Sequence, residues 1–260
     1  MPAKRSHSAT RVLTLLGTIA EHQPIGVRAL AKLLDEDKSA VHRGLVTLAD
    51  SGWIRMTGEP PVGWELTAHI LAVAYAAHGG IDLRRRARAA LERLRDVTNE
   101  TVLLVLPDVD RFVVAEVIES RQSLRIVPDL GATVPIRRTA TGLAVLPYLS
   151  PERQEALLGG KPDRPLLDKF AKTRARGYSM SEGEIYPLAT NLASAIFDFD
   201  EQPIGAVVVC GPRERLTKPV CRTIGELLAQ TARELTRSGQ RQKTAMRGSN
   251  ANLSGRLPSG

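Results

Sequence analysis

The chain has 260 residues, a formal net charge of +8, 43% hydrophobic residues and 25% charged residues, which is typical of a globular protein with one large or two ordinary domains. No stretch approaches the roughly 18 consecutive apolar residues of a membrane span. With two cysteines, and five histidines that all lie before residue 80, the composition argues against a disulfide framework, a zinc site and a histidine-based catalytic centre. We therefore expect a cytoplasmic protein that is not an enzyme, holds no metal or cofactor and binds no membrane.

The positive charge is concentrated near the C-terminus. Residues 1–80 carry eight basic and seven acidic residues, and residues 101–232 carry sixteen of each, whereas residues 233–260 carry six basic residues and one acidic residue. The last of these segments is rich in Gly, Ser and Asn, and it has too little apolar surface to fold alone. We predict a disordered basic tail over residues 238–260, with weak nonspecific attraction to DNA as the alternative role.

Three short helices are predicted at the start of the chain. Apolar residues at helical spacing predict the first over about residues 8–21, and Pro24 disfavours its continuation. The second is predicted over residues 27–34. The third is predicted over residues 38–51, with Asp37 as its N-cap. In that third helix the apolar positions share one face and the polar positions share the other.

Two short apolar segments, 53–56 and 64–66, flank a Gly/Pro-rich loop and predict a β-hairpin. Three helices closed by such a hairpin form a winged helix-turn-helix, here residues 1–66, which lays one helix in the major groove of DNA. Polar side chains on the third helix would contact base edges and phosphates, although His42 could instead pack on the first helix. The candidate DNA-binding residues are Lys38, Ser39, Ala40, His42, Arg43, Thr47, Arg28 and Arg55. A helical module that binds another protein instead of DNA is the alternative.

The next segment connects the two halves of the chain. Residues 67–80 are rich in alanine and would expose too much apolar surface as an isolated helix, so we predict a linker helix that packs against a second copy in a homodimer. The arginine-rich stretch 83–88 begins another helix. It favours a solvated face with salt bridges over DNA contact.

Residues 81–237 predict a mixed α/β domain, which makes the whole chain α+β. The β-branched runs 101–107 and 111–119 are joined by a short turn and predict a hairpin. Consecutive hairpins favour an antiparallel sheet with flanking helices. Further strands are predicted at 123–127, 194–199 and 203–210. Residues 139–142 open a helix with small side chains, and the free N–H groups there favour an anionic ligand.

The segment KSAVHRGLVTLADSGWI, residues 38–54, resembles the third helix and wing entry of the IclR family of bacterial transcription regulators. Ser39, Val41, His42, Arg43 and Leu45 match the family pattern. Ala40 and Gly44 depart from it, and Gly44 costs about 1 kcal/mol relative to alanine in a helix, which predicts a more pliable helix. The resemblance continues to about residue 237, through GATVPI at 131–136, TATG at 139–142 and RGYS at 176–179.

The resemblance implies a regulator that binds double-stranded DNA, with repression favoured over activation, as a homodimer or a dimer of dimers. It also implies a GAF-like effector-binding domain of six strands, in which a small organic acid or an aromatic compound binds. The matching effector-binding positions are Ala140, Thr141, Ser181, Glu182, Asn191, Ala195, Val208 and Cys210. Family members often carry polar groups at the positions of Ala195 and Val208. We therefore expect an effector less polar than a small keto acid.

Overall fold

A computed structural model describes residues 6–76 and 80–253, with side chains described for residues 6–73 and 83–240. The chain divides into two compact units, Met1–His78 and Gly79–Gly260. None of the described helices is both long enough and apolar enough to cross a membrane.

The first unit consists of helices packed beside a small hairpin. Its elements are α1 (His7–His22), α2 (Val27–Leu34), α3 (Lys38–Asp50), β1 (Ile54–Met56), β2 (Trp64–Leu66) and α4 (His69–Ala76). The hairpin is antiparallel, and Ile25 adds a bridge to its second strand through Trp64. Apolar positions at helical spacing form one buried core, as the sequence predicts. The winged helix-turn-helix is confirmed.

Gly44 lies where α1 and α3 come closest. It is buried, and a Cβ atom at this position would overlap the side chain of Leu15, which is itself fully buried. The propensity cost of glycine in a helix is therefore offset by a closer approach of the two helices. This packing gives a reason for a glycine in α3, and the greater pliability of the helix stays a prediction.

The second unit is built on a six-stranded sheet with helices on both faces. Its elements are α5 (Gly80–Thr98), β3 (Thr101–Pro107), β4 (Arg111–Ile118), β5 (Thr133–Pro135), α6 (Ala140–Val145), α7 (Pro151–Leu158), α8 (Arg164–Arg176), β6 (Ser179–Glu182), β7 (Ala189–Phe197), β8 (Pro203–Pro212) and α9 (Lys218–Leu253). The strand order is β5-β4-β3-β8-β7-β6, and every neighbouring pair is antiparallel. The predicted α+β class and antiparallel sheet are confirmed.

The sheet separates two cores because side chains alternate along each strand. On β7, Leu192 and Ile196 pack in the core that α5 and α9 cover. Ala193 and Ala195 point the other way, into the core that includes α6. The second core contains more small residues on the sheet side. It therefore leaves space between the sheet and the start of α6.

Two strand predictions need correction. Residues 123–127 form no strand, and Leu124 in that segment is exposed. The segment belongs to an irregular connection from β4 to β5, and β5 forms the edge of the sheet next to β4. The last hairpin begins earlier than expected, since β7 starts at Ala189. β-Branched residues favour strands only where a neighbouring strand is available to pair with them.

The last helix extends beyond the predicted domain end. α9 continues to Leu253, whereas a disordered tail is predicted from residue 238; residues 254–260 lie outside the described part. The first turns of α9 are packed against the sheet through Ile224, Leu228 and Leu235. Once such a nucleus exists, each added residue costs little, and Gln, Arg, Lys, Ala and Met are good helix formers. The packed part of the helix thus supports its continuation.

The arginine-rich start of α5 is used inside the second unit. Arg84 and Arg88 both contact the buried carboxylate of Glu116 on β4, at 2.6 and 2.9 Å. Arg86 donates to the hydroxyl of Ser238 on α9 at 3.2 Å. These contacts confirm the prediction of salt bridges for this stretch.

Candidate functional sites

The exposed face of α3 carries most of the predicted DNA-binding residues. Lys38, Ser39, His42, Arg43 and Thr47 are all exposed. The opposite face, with Val41, Leu45 and Leu48, is buried in the first unit. Ala40 is only 8% exposed, so little of its surface is available for contact with DNA, unlike the other predicted residues of α3.

Asp37 organises the first turn of α3. Its carboxylate accepts hydrogen bonds from the backbone N–H of Ser39 at 2.8 Å and of Ala40 at 3.2 Å, and also from the Ser39 hydroxyl. These hydrogen bonds hold the pKa of Asp37 below its ordinary value, and the bond from the Ser39 hydroxyl has the largest effect. The hydroxyl proton of Ser39 is therefore already in use. Arg43 Nη1 lies 3.5 Å from the same hydroxyl oxygen.

The two predicted arginines outside α3 have different surroundings. Arg28 is exposed on α2. Arg55, on β1, places its Nε 2.8 Å from Glu65 Oε1 on β2. An exposed ion pair of this kind contributes about 0–1 kcal/mol. Arg55 can therefore exchange Glu65 for a phosphate at little cost.

The second unit contains a cavity between its sheet and the start of α6. The empty space at this site is about 520 Å³ when the open solvent at its mouth is counted. Its lining is mainly apolar, with polar groups from several elements. The lining residues are Leu103, Val105, Pro128, Ala132, Thr133, Val134, Thr139, Ala140, Thr141, Ser181, Ile185, Tyr186, Asn191 and Val208. Within this set no residue is charged.

Five of the eight predicted effector-binding residues line this cavity, and three do not. The five are Ala140, Thr141, Ser181, Asn191 and Val208. Glu182 follows Ser181 on β6, is exposed, and lies 3.6 Å from Arg213 Nη2. Ala195 is buried farther along β7, among the core residues. The alternation of side chains along β6 directs Glu182 away from the cavity, and distance along β7 separates Ala195 from it.

Cys210 is the third predicted residue that does not line the cavity. It is 1% exposed, and burial, with the nearby carboxylate of Glu100, raises the pKa of its thiol to about 12. The thiol is therefore protonated at neutral pH. It behaves as a small buried apolar group, and its role as an effector contact stays a prediction.

The start of α6 differs from the anion site that the sequence predicts. The backbone N–H of Ala140 donates to Ser181 Oγ at 3.0 Å, and that of Gly142 donates to the N-cap Thr139 Oγ1 at 3.1 Å. Two of the first amides are therefore satisfied within the protein. This corrects the expectation of a row of free N–H groups.

Sequence reasoning missed the mouth of the cavity. Pro128 and Ala132 come from the irregular connection before β5, and Ile185 and Tyr186 come from the bends between β6 and β7. In neither connection do apolar residues recur at the spacing of a helix or a strand, so the sequence does not indicate which side chains face the cavity. In the described part of the chain, no group of three His, Cys, Asp or Glu side chains is placed to hold a metal ion.

Similarity to known proteins decides the family. A family model described as bacterial transcriptional regulator IclR C-terminal matches residues 75–237. The chain belongs to the IclR family. A second family model, HVO_A0114, matches residues 9–65. The membership confirms the resemblance that the sequence motifs indicate.

Similar relatives and solved structures cover nearly the whole chain. The acetate operon repressor of Salmonella typhimurium is 30% identical, and the transcriptional repressor IclR of Escherichia coli is 29% identical, each over 88% of both chains. The structure of a putative IclR regulator from a Silicibacter species has a TM-score of 0.73 at 25% identity, covering 90% of this chain and 96% of that one. An IclR homologue from Microbacterium hydrocarbonoxydans, complexed with 4-hydroxybenzoate, has a TM-score of 0.73 at 18% identity, with 89% and 99% covered.

These relatives are named as transcription regulators and not as enzymes. This IclR-family chain is accordingly a DNA-binding transcription regulator and not an enzyme. The predicted function class is confirmed.

Proposed function

We propose that this regulator represses transcription by binding a pseudo-palindromic operator as a homodimer, in the cytoplasm, and that a small molecule in the cavity of the second unit changes its affinity for DNA. The observation that carries the proposal is the polarity of α3. Its donors share one exposed face, while its apolar residues hold the helix on the first unit. The names of the Salmonella and E. coli relatives support repression.

Base readout would centre on Arg43. A guanidinium can donate two hydrogen bonds to the O6 and N7 atoms of guanine in the major groove, and His42 lies beside it on the same exposed face. Lys38 in the first turn, with Arg28 and Arg55, would contact phosphates. Ser39 and Thr47 complete the proposed set. Ser39 can donate to a phosphate only by releasing Asp37.

Dimer formation would set the distance between two such helices. Leu71 and Val73 on α4 are exposed, which supports packing of this helix against a second copy. The winged helix-turn-helix units of the two copies would then contact half-sites one helical turn of DNA apart, about 34–36 Å. A dimer of dimers would bind a longer operator. Size-exclusion chromatography with light scattering distinguishes the two assemblies.

Effector control would come from the second unit. Its cavity has a mainly apolar lining with a few polar groups, as sites for small organic compounds do, and the Microbacterium relative was crystallised with an aromatic acid. A ligand that binds one arrangement of the two DNA-binding units more tightly than another would change the affinity for DNA by about 5–150-fold.

The proposal is tested by a mobility-shift titration on the chain's own promoter. Arg43→Ala should weaken binding by about tenfold or more, because a good bidentate contact contributes about 1–3 kcal/mol. It should also reduce the preference for promoter over unrelated DNA. Arg164→Ala is the matched control, since Arg164 lies on α8 in the second unit. Equal affinities for wild type and Arg43→Ala would refute the assignment of α3.

A further inference from the structure

The ligand cavity contains two polar side chains that lack partners. Asn191 is 8% exposed and Thr141 is 3% exposed, and both line the cavity. Among the described residues, neither side chain finds a hydrogen-bond partner. Their polar atoms open onto the cavity, because neither side chain is among those with a fully enclosed, unpartnered polar atom. A ligand that covered them without forming hydrogen bonds would leave them unpaired, which is costly. Both groups therefore favour a ligand that supplies hydrogen bonds of its own.

The described lining of the same cavity contains no side chain that could balance the charge of an ionised ligand. No described residue of its lining is charged. Two ion pairs lie beside the lining residues in the sequence and leave the lining itself uncharged: Glu182 with Arg213 at 3.6 Å, and Arg138, whose side chain is 80% exposed, with Glu184 at 3.1 Å. An anion would lose its hydration on entry without gaining a cationic partner. The satisfied amides at the start of α6 remove most of the remaining compensation.

We propose that the cavity binds an uncharged molecule with an apolar body and one neutral group that both donates and accepts hydrogen bonds, such as a primary carboxamide. This proposal rests on the effector role proposed above and narrows its ligand. The amide of Asn191 can form a reciprocal pair with a carboxamide, donating from Nδ2 and accepting at Oδ1. Thr141 supplies one further hydrogen bond. The apolar body would pack on the buried side chains of Leu103, Val105 and Val208.

The test compares two probes of the same shape. Isothermal titration of the full-length protein with benzamide and with benzoate at pH 7.5 separates charge from size, because the two differ chiefly in the ionised group. We expect benzamide to bind at least about tenfold more tightly, since the anion is desolvated without compensation. Equal or tighter binding of benzoate overturns the proposal. So does the absence of binding by both benzamide and the larger 2-naphthamide at millimolar concentration.

Isosteric variants test the two proposed contacts. Thr141→Val keeps the shape of the side chain and removes its hydroxyl, so benzamide should bind about threefold to tenfold more weakly. Thr133→Val is the matched control, because Thr133 lines the mouth but is exposed. Asn191→Leu should weaken benzamide binding further, because the reciprocal pair with the carboxamide is lost. Equal effects of the two threonine variants, or an unchanged benzamide affinity in Asn191→Leu, contradict the assigned contacts.

A mobility shift with and without the probes separates this inference from the proposed function. If benzamide binds but leaves operator affinity unchanged, effector control fails while the ligand class stands. If DNA affinity responds to benzoate and not to benzamide, effector control stands and the ligand class fails.

Discussion

Among the described glycines, Gly142 is the one at which an added Cβ atom would come nearest to neighbouring backbone atoms. It lies inside α6, and a Cβ atom there would overlap the backbone carbonyl group of Ile136. Because the obstacle is main chain, no side-chain rotation relieves the overlap. The segment from β5 to α6 must move, although Thr139 ties it to the helix through its hydrogen bond with the Gly142 N–H.

The size of the effect follows from two opposing contributions. Gly142→Ala gains about 1 kcal/mol in helix propensity, whereas forced overpacking costs about 3 kcal/mol, the upper part of its usual range, because backbone has to shift. The net loss is about 2 kcal/mol. For a unit of this size, that lowers the melting temperature by about 4–8 °C. Far-UV circular dichroism measures the change.

The first unit offers a control substitution that should raise stability instead of lowering it. A Cβ atom at Gly17, inside α1, meets nothing within 4 Å, so Gly17→Ala should stabilise that unit by up to about 1 kcal/mol. Both tryptophans of the chain, Trp53 and Trp64, lie in the first unit, and their fluorescence reports its unfolding separately. If Gly142→Ala melts at or above the wild-type temperature, the close approach to Ile136 is wrong.

Three further predictions concern charged and titratable groups. Glu116→Gln should destabilise the second unit by about 1–2 kcal/mol, because its buried carboxylate contacts two half-exposed arginines; thermal melting measures this loss. The lowered pKa of Asp37 adds stability that is present above its unfolded value and is lost as pH falls below about 4, so tryptophan fluorescence should show Asp37→Asn to be less acid-sensitive than wild type. Burial raises the thiol pKa of Cys210 to about 12 and of Cys221 to about 11, so a chromogenic disulfide reagent should label neither at pH 8 until urea unfolds the protein.

Each of these predictions has a control or a refuting result. Asp168→Asn disrupts only the exposed i,i+4 pair with Arg164 and should change the melting temperature much less than Glu116→Gln. Equal acid sensitivity of Asp37→Asn and the wild type would contradict the role assigned to the Asp37 carboxylate. Rapid labelling of a thiol in the folded protein would contradict the burial of Cys210 and Cys221.

The first unit illustrates what local sequence patterns can determine. Backbone hydrogen bonds four residues apart define an α-helix, so the face of each residue follows from its position in the helix. The apolar spacing in α3 thus predicts both the buried Val41, Leu45 and Leu48 and the exposed Lys38, His42 and Arg43. Gly44 is different, because the reason for a glycine there lies on α1, at Leu15.

The candidate ligand site was predicted only in part. Small residues at the start of α6 and the alternation of side chains in β6 and β7 bring Thr141, Ser181 and Asn191 to one cavity. The mouth, with Tyr186, depends on how two irregular connections fold over the sheet. Likewise, the satisfaction of the Ala140 N–H by Ser181 joins residues 41 positions apart. No local period contains that information.

The sequence by itself determined the α+β class, the three helices and hairpin of the first unit, the polar face of α3 and the antiparallel pairing of consecutive strands. Tertiary structure alone decided that β3 lies between β4 and β8, that Glu116 pairs with Arg84 and Arg88 of α5, and that α9 continues to Leu253. The physical reason is the range of the interactions. Helix periodicity and strand alternation repeat within a few residues, whereas sheet order, buried ion pairs and cavity walls arise from contacts between distant parts of the chain.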